Sequence, residues 1–281
     1  MSPLIKLNIL RKAFWQALDH DIVNTAKAAA YSGMLTIFPA LLVLTTLLAR
    51  VEEGPTLTGE IRGIFEQFLP ADTMDMLQQY MLTRHNHSAQ LILSAIALTL
   101  FAGLGVMLSL MEGFRRAYQI PLDSWTFWGR RLRALLLVPI ALLPLSIATL
   151  FIVFGHEIEL WMIDNSGHGM HHFVVFFWRM ARWLVSLATS TAVLTAIYHF
   201  GTHRKEYWAR VAPGALAGTF IWFPSTLAFG WYVTRVANYS MFYGSFAAGI
   251  AALVWLYITA FSVLLGAELN GVLYRERNGS H

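Results

Sequence analysis

Between Val236 and Ala267 the chain runs for 32 residues without an Asp, Glu, Lys or Arg, and the run ends on Glu268 within the segment LLGAELN. Few soluble folds have a use for such a stretch. A bilayer core of about 30 Å takes roughly 20 apolar residues in a helix that rises about 1.5 Å per residue. Six segments meet that requirement: residues 28–49, 89–111, 134–155, about 180–200, 211–234 and about 244–267. Insertion scales assign about 2.5–3.5 kcal/mol to a charge at a helix centre, so uncharged blocks of this length argue for membrane spans. The 57% hydrophobic and 13% charged composition agrees, since soluble domains carry about 25% charged residues.

Spanning segments must satisfy their own backbone hydrogen bonds, which leaves helices or a closed barrel. A barrel alternates over segments of about ten residues, and no such pattern recurs here. The expected fold is therefore all-α: a single six-helix polytopic membrane domain over residues 28–274.

Orientation follows from the cations. With the N-terminus inside, the cytoplasmic side receives 14 of the 20 Lys and Arg residues, from Lys6, Arg11, Lys12 and Lys27 through Arg115, Arg116, Arg130, Arg131 and Arg133 to Arg275 and Arg277. The other side keeps Arg50, Arg62, Arg84, Arg179, Arg182 and Arg235. This asymmetry places both termini in the cytoplasm.

Residues 1–27 lack the continuous apolar core of a cleavable signal. Instead Leu7, Leu10, Phe14, Ala17 and Leu18 recur at helical spacing among charged residues, the pattern of an amphipathic helix lying at the inner interface. The first outer loop, residues 51–88, reads as a short helical hairpin broken at Pro70 that caps the outer end. Residues 275–281 form a cytoplasmic tail whose closing Gly279-Ser280-His281 has the look of a tag remnant.

AAAYSGMLTIFPALLVL at residues 28–44, MEGFRRAYQIP at 111–121 and YGSFAAGIAALVWLYITAFSVLLGAELN at 243–270 carry, in order and at the right separation, a recognisable set. The chain resembles the YihY/BrkB family of polytopic inner-membrane proteins, through Tyr31, Pro39, Tyr243, Gly244, Trp255, Tyr257, Gly266 and Glu268. The resemblance implies a multi-pass protein of the bacterial inner membrane, with six membrane helices and both termini inside. It implies no settled activity, because that family has carried the label ribonuclease BN, a serum-resistance label and proposals of lipid handling.

Glu268 is the first candidate site. Counted from Gly244, about 20 residues of core end near Leu264, so the carboxylate falls at the inner edge. Two roles fit there. It pins the last helix to a cation such as Lys27 or Arg115, or it gates a cavity as an ion or proton site. Arg179 and Arg182, three apart on one helical face, are candidate contacts for an anion or lipid headgroup. Pro39, Pro139, Pro144, Pro213 and Pro224 are candidate kinks in the spans. Gly214-x-x-x-Gly218, Ser186-x-x-x-Ser190 and Ala247-x-x-x-Ala251 permit close helix packing.

The absence of cysteine excludes thiol chemistry and Cys-based zinc sites. His156, His168, His171 and His172 gather with carboxylates in the second outer loop without a metal-binding order, and His199 with His203 is too small a set, so no metal or cofactor is expected. A nuclease needs clustered carboxylates or an acid-base pair beside a groove for a polyanion. Between Glu112 and Glu206 the inner side offers only Asp123, so no nucleic-acid partner and no enzyme activity are expected. The expected function is transporter-like handling of a lipid or amphiphilic solute in the envelope without nucleotide hydrolysis, with membrane lipids as partners. The alternative is an adaptor that positions an envelope protein through the outer loop.

Overall fold

A computed structural model describes residues 3–48, 89–121, 126–142, 171–203, 206–235 and 246–279. Every element among them is a helix: α1 (Pro3–Asp19), α2 (Ile22–Leu48), α3 (Ala89–Ala117), α4 (described over residues 127–142), α5 (His171–Gly201), α6 (Trp208–Arg235) and α7 (Ala247–Asn278). Among the described residues four helices are long and apolar enough to cross a membrane, within Leu93–Ala117, Trp183–Gly201, Trp208–Val233 and Gly249–Asn278. These match the second, fourth, fifth and sixth expected spans. The first falls in α2, whose final turns carry side chains outside the described residues. The third is described only as far as residue 142. The hairpin expected at 51–88, Pro144, the second outer loop up to Met170, Tyr243 and Gly244 all lie outside the described residues.

At 32 residues, α7 extends about 48 Å, longer than a bilayer core of about 30 Å. It is also the hub of the bundle, packing against α1, α2, α3 and α6. Burial along it is uneven. From Ala247 to Thr259 none of its described side chains is buried, whereas Ser262, Val263, Leu264, Ala267, Glu268, Asn270, Val272 and Arg275 all are. The buried parts of the other helices gather at the same end: Ala26 on α2, Phe114 on α3, Ala134 and Leu137 on α4, and Tyr198 on α5. We call this end, where α1 and the C-terminus of α7 meet, the base. Away from it, Leu93, Leu98, Phe101, Leu184, Phe220, Leu227 and Trp231 are exposed. An apolar surface of that extent is stable against lipid rather than water.

Small residues let the main chains approach at the base. A Cβ on Gly266 would overlap the Gly214 carbonyl and press on Gly218 Cα, so α6 and α7 cross backbone to backbone. Gly113 of α3 and Gly271 of α7 are likewise closed in, by Leu264 and by the Ala117 carbonyl. In a membrane such contacts supply the dispersion that lipid exclusion cannot. Tyr198 pins the crossing from α5: its hydroxyl donates to Val263 O at 2.5 Å, and its ring meets Phe114 edge to face at 5.2 Å.

Pro213 explains another feature of this crossing. Proline has no N–H and its ring crowds the carbonyl four residues back, which disturbs the helix ladder around it. Asn270 of α7 fills the disturbed turn: Gly214 N–H donates to Asn270 Oδ1 at 2.9 Å and Asn270 Nδ2 donates to Val211 O at 2.8 Å. The side chain is 1% exposed, so water cannot replace either bond. Asn270→Asp keeps the shape but removes the donor and sets a carboxylate against the Val211 carbonyl. The expected loss of stability is about 1–3 kcal/mol, read from thermal unfolding in detergent, whereas a variant as stable as the parent would show that the turn closes without Asn270.

The amphipathic segment at the N-terminus is helical, and it docks on protein as well as presenting an apolar face. Ile9 and Ala13 pack against Val272, and Ala17 enters the main core. Leu10, Phe14 and Leu18, expected on the anchoring face, point outward with Trp15. A one-faced helix became two-faced because small residues four apart suit a helix contact, while the larger ones flank it.

Candidate functional site

Helices α1 and α2 meet at a sharp elbow. Asp21 sits there with φ of 57°, a left-handed conformation that Asp and Asn tolerate better than most side chains. Its carbonyl receives the Thr25 N–H at 3.2 Å and the Thr25 hydroxyl at 3.1 Å, which starts α2. The chain end of α3 is built alike. Gln119 adopts φ of 52°, and the bonds from Gln119 N to Arg116 O and from Ile120 N to Arg115 O close the helix in a Schellman arrangement. These two turns bring the elbow and the basic end of α3 together.

Glu268 faces the elbow. It is 0% exposed, and its Oε1 accepts from His20 Nδ1 at 2.8 Å. Its Oε2 has no hydrogen-bond partner among the described residues. A buried carboxylate left alone costs several kcal/mol, so this one contact with His20 matters. Two turns on, Arg275 donates to Ala117 O at 2.6 Å and to Gln16 Oε1 at 2.5 Å, and it adds positive potential at Glu268. The last helix thus grips α1 at Gln16 and the elbow at His20.

Beside this latch lies an arginine cluster on one carboxylate. Glu112 accepts from Arg115 Nη2 at 2.6 Å, Arg116 Nε at 3.2 Å and Arg130 Nη2 at 3.1 Å. Arg115 also donates to Ile120 O, Arg116 to His20 O, and Arg130 to Leu108 O. One side chain therefore ties α3 to its own closing turn, to the elbow and to α4. Between α2 and α3 an open cleft of ≈ 360 Å³ is lined by Asp21, Asn24, Ala28, Leu108, Glu112 and Arg116, with Thr25 and Ser109. Charge lies at one end of it and apolar wall at the other.

The expected pairing of Glu268 with Lys27 or Arg115 requires correction. Arg115 is held by Glu112, three residues earlier on its own helix. Lys27 is exposed and donates to Asn24. Both are drawn to acceptors one turn away, so the buried carboxylate takes the histidine on the elbow instead. Arg179 and Arg182 lie on α5 with side chains outside the described residues. Pro39 is buried within α2, Pro213 and Pro224 lie inside α6, and Pro139 lies in α4. Trp255 and Tyr257 are half-buried on α7, while Tyr31 is 64% exposed. His199 stacks on Trp208 at 4.5 Å, and among the described residues no three His, Asp or Glu gather as metal ligands.

Sequence reasoning missed His20, Glu112, Tyr198 and Asn270. Glu112 had a signal: it precedes Arg115 and Arg116 by three and four residues, the spacing of same-face ion pairs. His20, Tyr198 and Asn270 act across helices, and no local pattern marks them.

Around the base, Trp15, Phe127, Trp128, Tyr207 and Trp208 are exposed, and the Arg131 guanidinium lies 3.5 Å above the Phe127 ring. Aromatic rings with nearby cations are what a headgroup layer selects.

Known proteins place this arrangement. The chain is 27% identical over 272 residues to the putative ribonuclease-like protein YfkH of Bacillus subtilis, covering 96% of this chain and 97% of that one. It is 26% identical over 279 residues to the UPF0761 membrane protein VP0125 of Vibrio parahaemolyticus, covering 96% and 83%. A UPF0761 membrane protein of Chromohalobacter salexigens is 24% identical over 274 residues, and there the chain spans 65% of the relative's length. No solved structure matches. The family model described as virulence factor BrkB matches residues 13–281, so the chain belongs to the BrkB family and is a multi-pass bacterial membrane protein.

Proposed function

We propose that this protein moves an amphiphile, a lipid or a lipid-like solute, across the bacterial inner membrane without hydrolysing nucleotide, with its base on the cytoplasmic side. The observation that carries this reading is the cleft between α2 and α3. It joins a charged floor at Asp21, Glu112 and Arg116 to an apolar wall at Ala28 and Leu108, the two surfaces an amphiphile presents. The same cleft borders the elbow that Glu268 and Arg116 hold, so a change at the elbow changes the cleft. The residues at the cleft bind and orient. None is set up as a nucleophile with an adjacent base, which is why transport is favoured over chemistry on the lipid, including the ribonuclease-like activity in the name of the Bacillus relative.

Purified protein in liposomes, assayed by dithionite quenching of acyl-labelled fluorescent lipids, is expected to expose inner-leaflet probe faster than empty vesicles do. Glu112→Gln, which weakens the hold on all three arginines, is expected to slow that rate about tenfold or more. Flux equal to that of empty vesicles for every lipid offered would remove the transport reading and leave the adaptor reading, in which residues 51–88 position an envelope partner.

A further inference from the structure

The walls of the cleft differ in sign. On the α3 side Glu112 holds Arg115 and Arg116 of its own helix and Arg130 of α4, one negative charge against three positive. Arg116 lines the cleft and is 34% exposed, so its guanidinium stays open to a ligand there, while Arg130, 31% exposed, adds positive charge from behind the same Glu112 carboxylate. On the α2 side stands Asp21, whose side chain is 53% exposed. Asn24 donates to its Oδ1 at 2.8 Å, while the Arg116 guanidinium stays 3.8 Å from its Oδ2, outside hydrogen-bond range. The Asp21 carboxylate therefore keeps acceptor capacity on the wall opposite the arginines. It is also held in place, because its main chain is fixed in the elbow by the two bonds from Thr25.

We propose that the cleft takes a zwitterionic headgroup carrying a primary ammonium next to a phosphate, with the phosphate on Arg116, backed by the positive charge of Arg115 and Arg130, and the ammonium on Asp21. This rests on the amphiphile reading above and narrows it to a headgroup class. The guanidinium fork matches phosphate oxygens in pairs. A carboxylate with free lone pairs accepts N–H bonds from a primary ammonium, which has three to give, whereas a quaternary ammonium has none. A headgroup with phosphate and no ammonium would satisfy the arginines and place its negative charge opposite Asp21. Ala28 and Leu108 then meet the glycerol and upper acyl region.

The test uses the full chain in nanodiscs and liposomes with acyl-labelled phosphatidylethanolamine, phosphatidylcholine and phosphatidylglycerol, in binding and in flux. Phosphatidylethanolamine is expected to be preferred over both others by about tenfold or more. Asp21→Asn suits the same left-handed backbone and keeps an acceptor for Asn24. It is expected to abolish the preference over phosphatidylcholine and improve phosphatidylglycerol while leaving the thermal transition in place. A parent protein that treats the three headgroups alike, or an Asp21→Asn variant with unchanged ratios, would overturn the proposal. Equal flux of all three lipids would do so while leaving transport intact. Selective binding without flux would keep the headgroup assignment and remove transport. Competition by soluble phosphoethanolamine but not by inorganic phosphate supports the same two-point recognition and assigns it to a free ligand. Selectivity for the lipid without that competition assigns it to the membrane.

Discussion

Gly266→Leu is expected to yield no stable bundle, and Gly266→Ala alone is expected to lower stability by about 1–3 kcal/mol. The reason is what a new Cβ would meet. On this face of α7 the nearest atoms are the Gly214 carbonyl oxygen, the Tyr198 hydroxyl and the Gly218 Cα. A side-chain tip can swing aside, but a main-chain carbonyl moves only if its helix moves. Shifting α6 away from α7 would also draw Gly214 N–H from Asn270 and leave two buried polar groups unpaired. Against this, replacing glycine by alanine within a helix gains about 1 kcal/mol of propensity. Gly230→Ala isolates that gain, since a Cβ there meets nothing within 4 Å among the described residues. Thermal unfolding of the two variants in one detergent, followed by tryptophan fluorescence, separates the terms. The crossing would have to be looser than described if Gly266→Ala proved as stable as Gly230→Ala.

The contrast between those two glycines shows what the sequence could and could not convey. Spans are one-dimensional features, so the absence of charge over 89–111 or 236–267 is enough to place a helix there, and the ends of α3 and α7 fall beyond the apolar runs because helices continue into the basic segments. Small-residue spacing was also readable: Gly214 and Gly218 stand four apart and meet the last helix as that spacing allows. Which helix they meet is a three-dimensional fact. Glu268 illustrates the same limit. Its register placed it at the end of the apolar core, but choosing its partner required knowing that Arg115 and Lys27 each had an acceptor one turn away, and that the chain would reverse at His20-Asp21. Asp21 reads in sequence as one acid among helix formers. Only the left-handed turn makes it both the corner of the elbow and one wall of the cleft.

His20→Ala should then be among the most damaging substitutions outside the helix crossing, at about 3–5 kcal/mol, because it strands a carboxylate that is fully buried. Glu268 Oε1 has His20 as its hydrogen-bond donor, and Oε2 has none among the described residues. Arg275 supplies potential and no hydrogen bond to it. Glu268→Gln should be far milder, since the amide oxygen still accepts from the imidazole and no charge is left in the interior. In the Glu268→Gln background His20→Ala should therefore cost much less than it does alone. A double-mutant cycle is expected to give a coupling of at least about 1 kcal/mol. Limited proteolysis supplies a second readout. If the pair holds the elbow, cleavage near residues 20–21 should accelerate in His20→Ala and return toward the parental rate in the double variant, even though Gln16 and Arg275 still join α1 to α7. Raising ionic strength should weaken the exposed contact between Arg116 and Asp21 and leave this one unchanged, because a buried pair is screened little. Additive effects of the two substitutions, within about 0.5 kcal/mol, would mean that Glu268 and His20 are neighbours without being a latch, and control of the cleft would then rest on Arg116 alone.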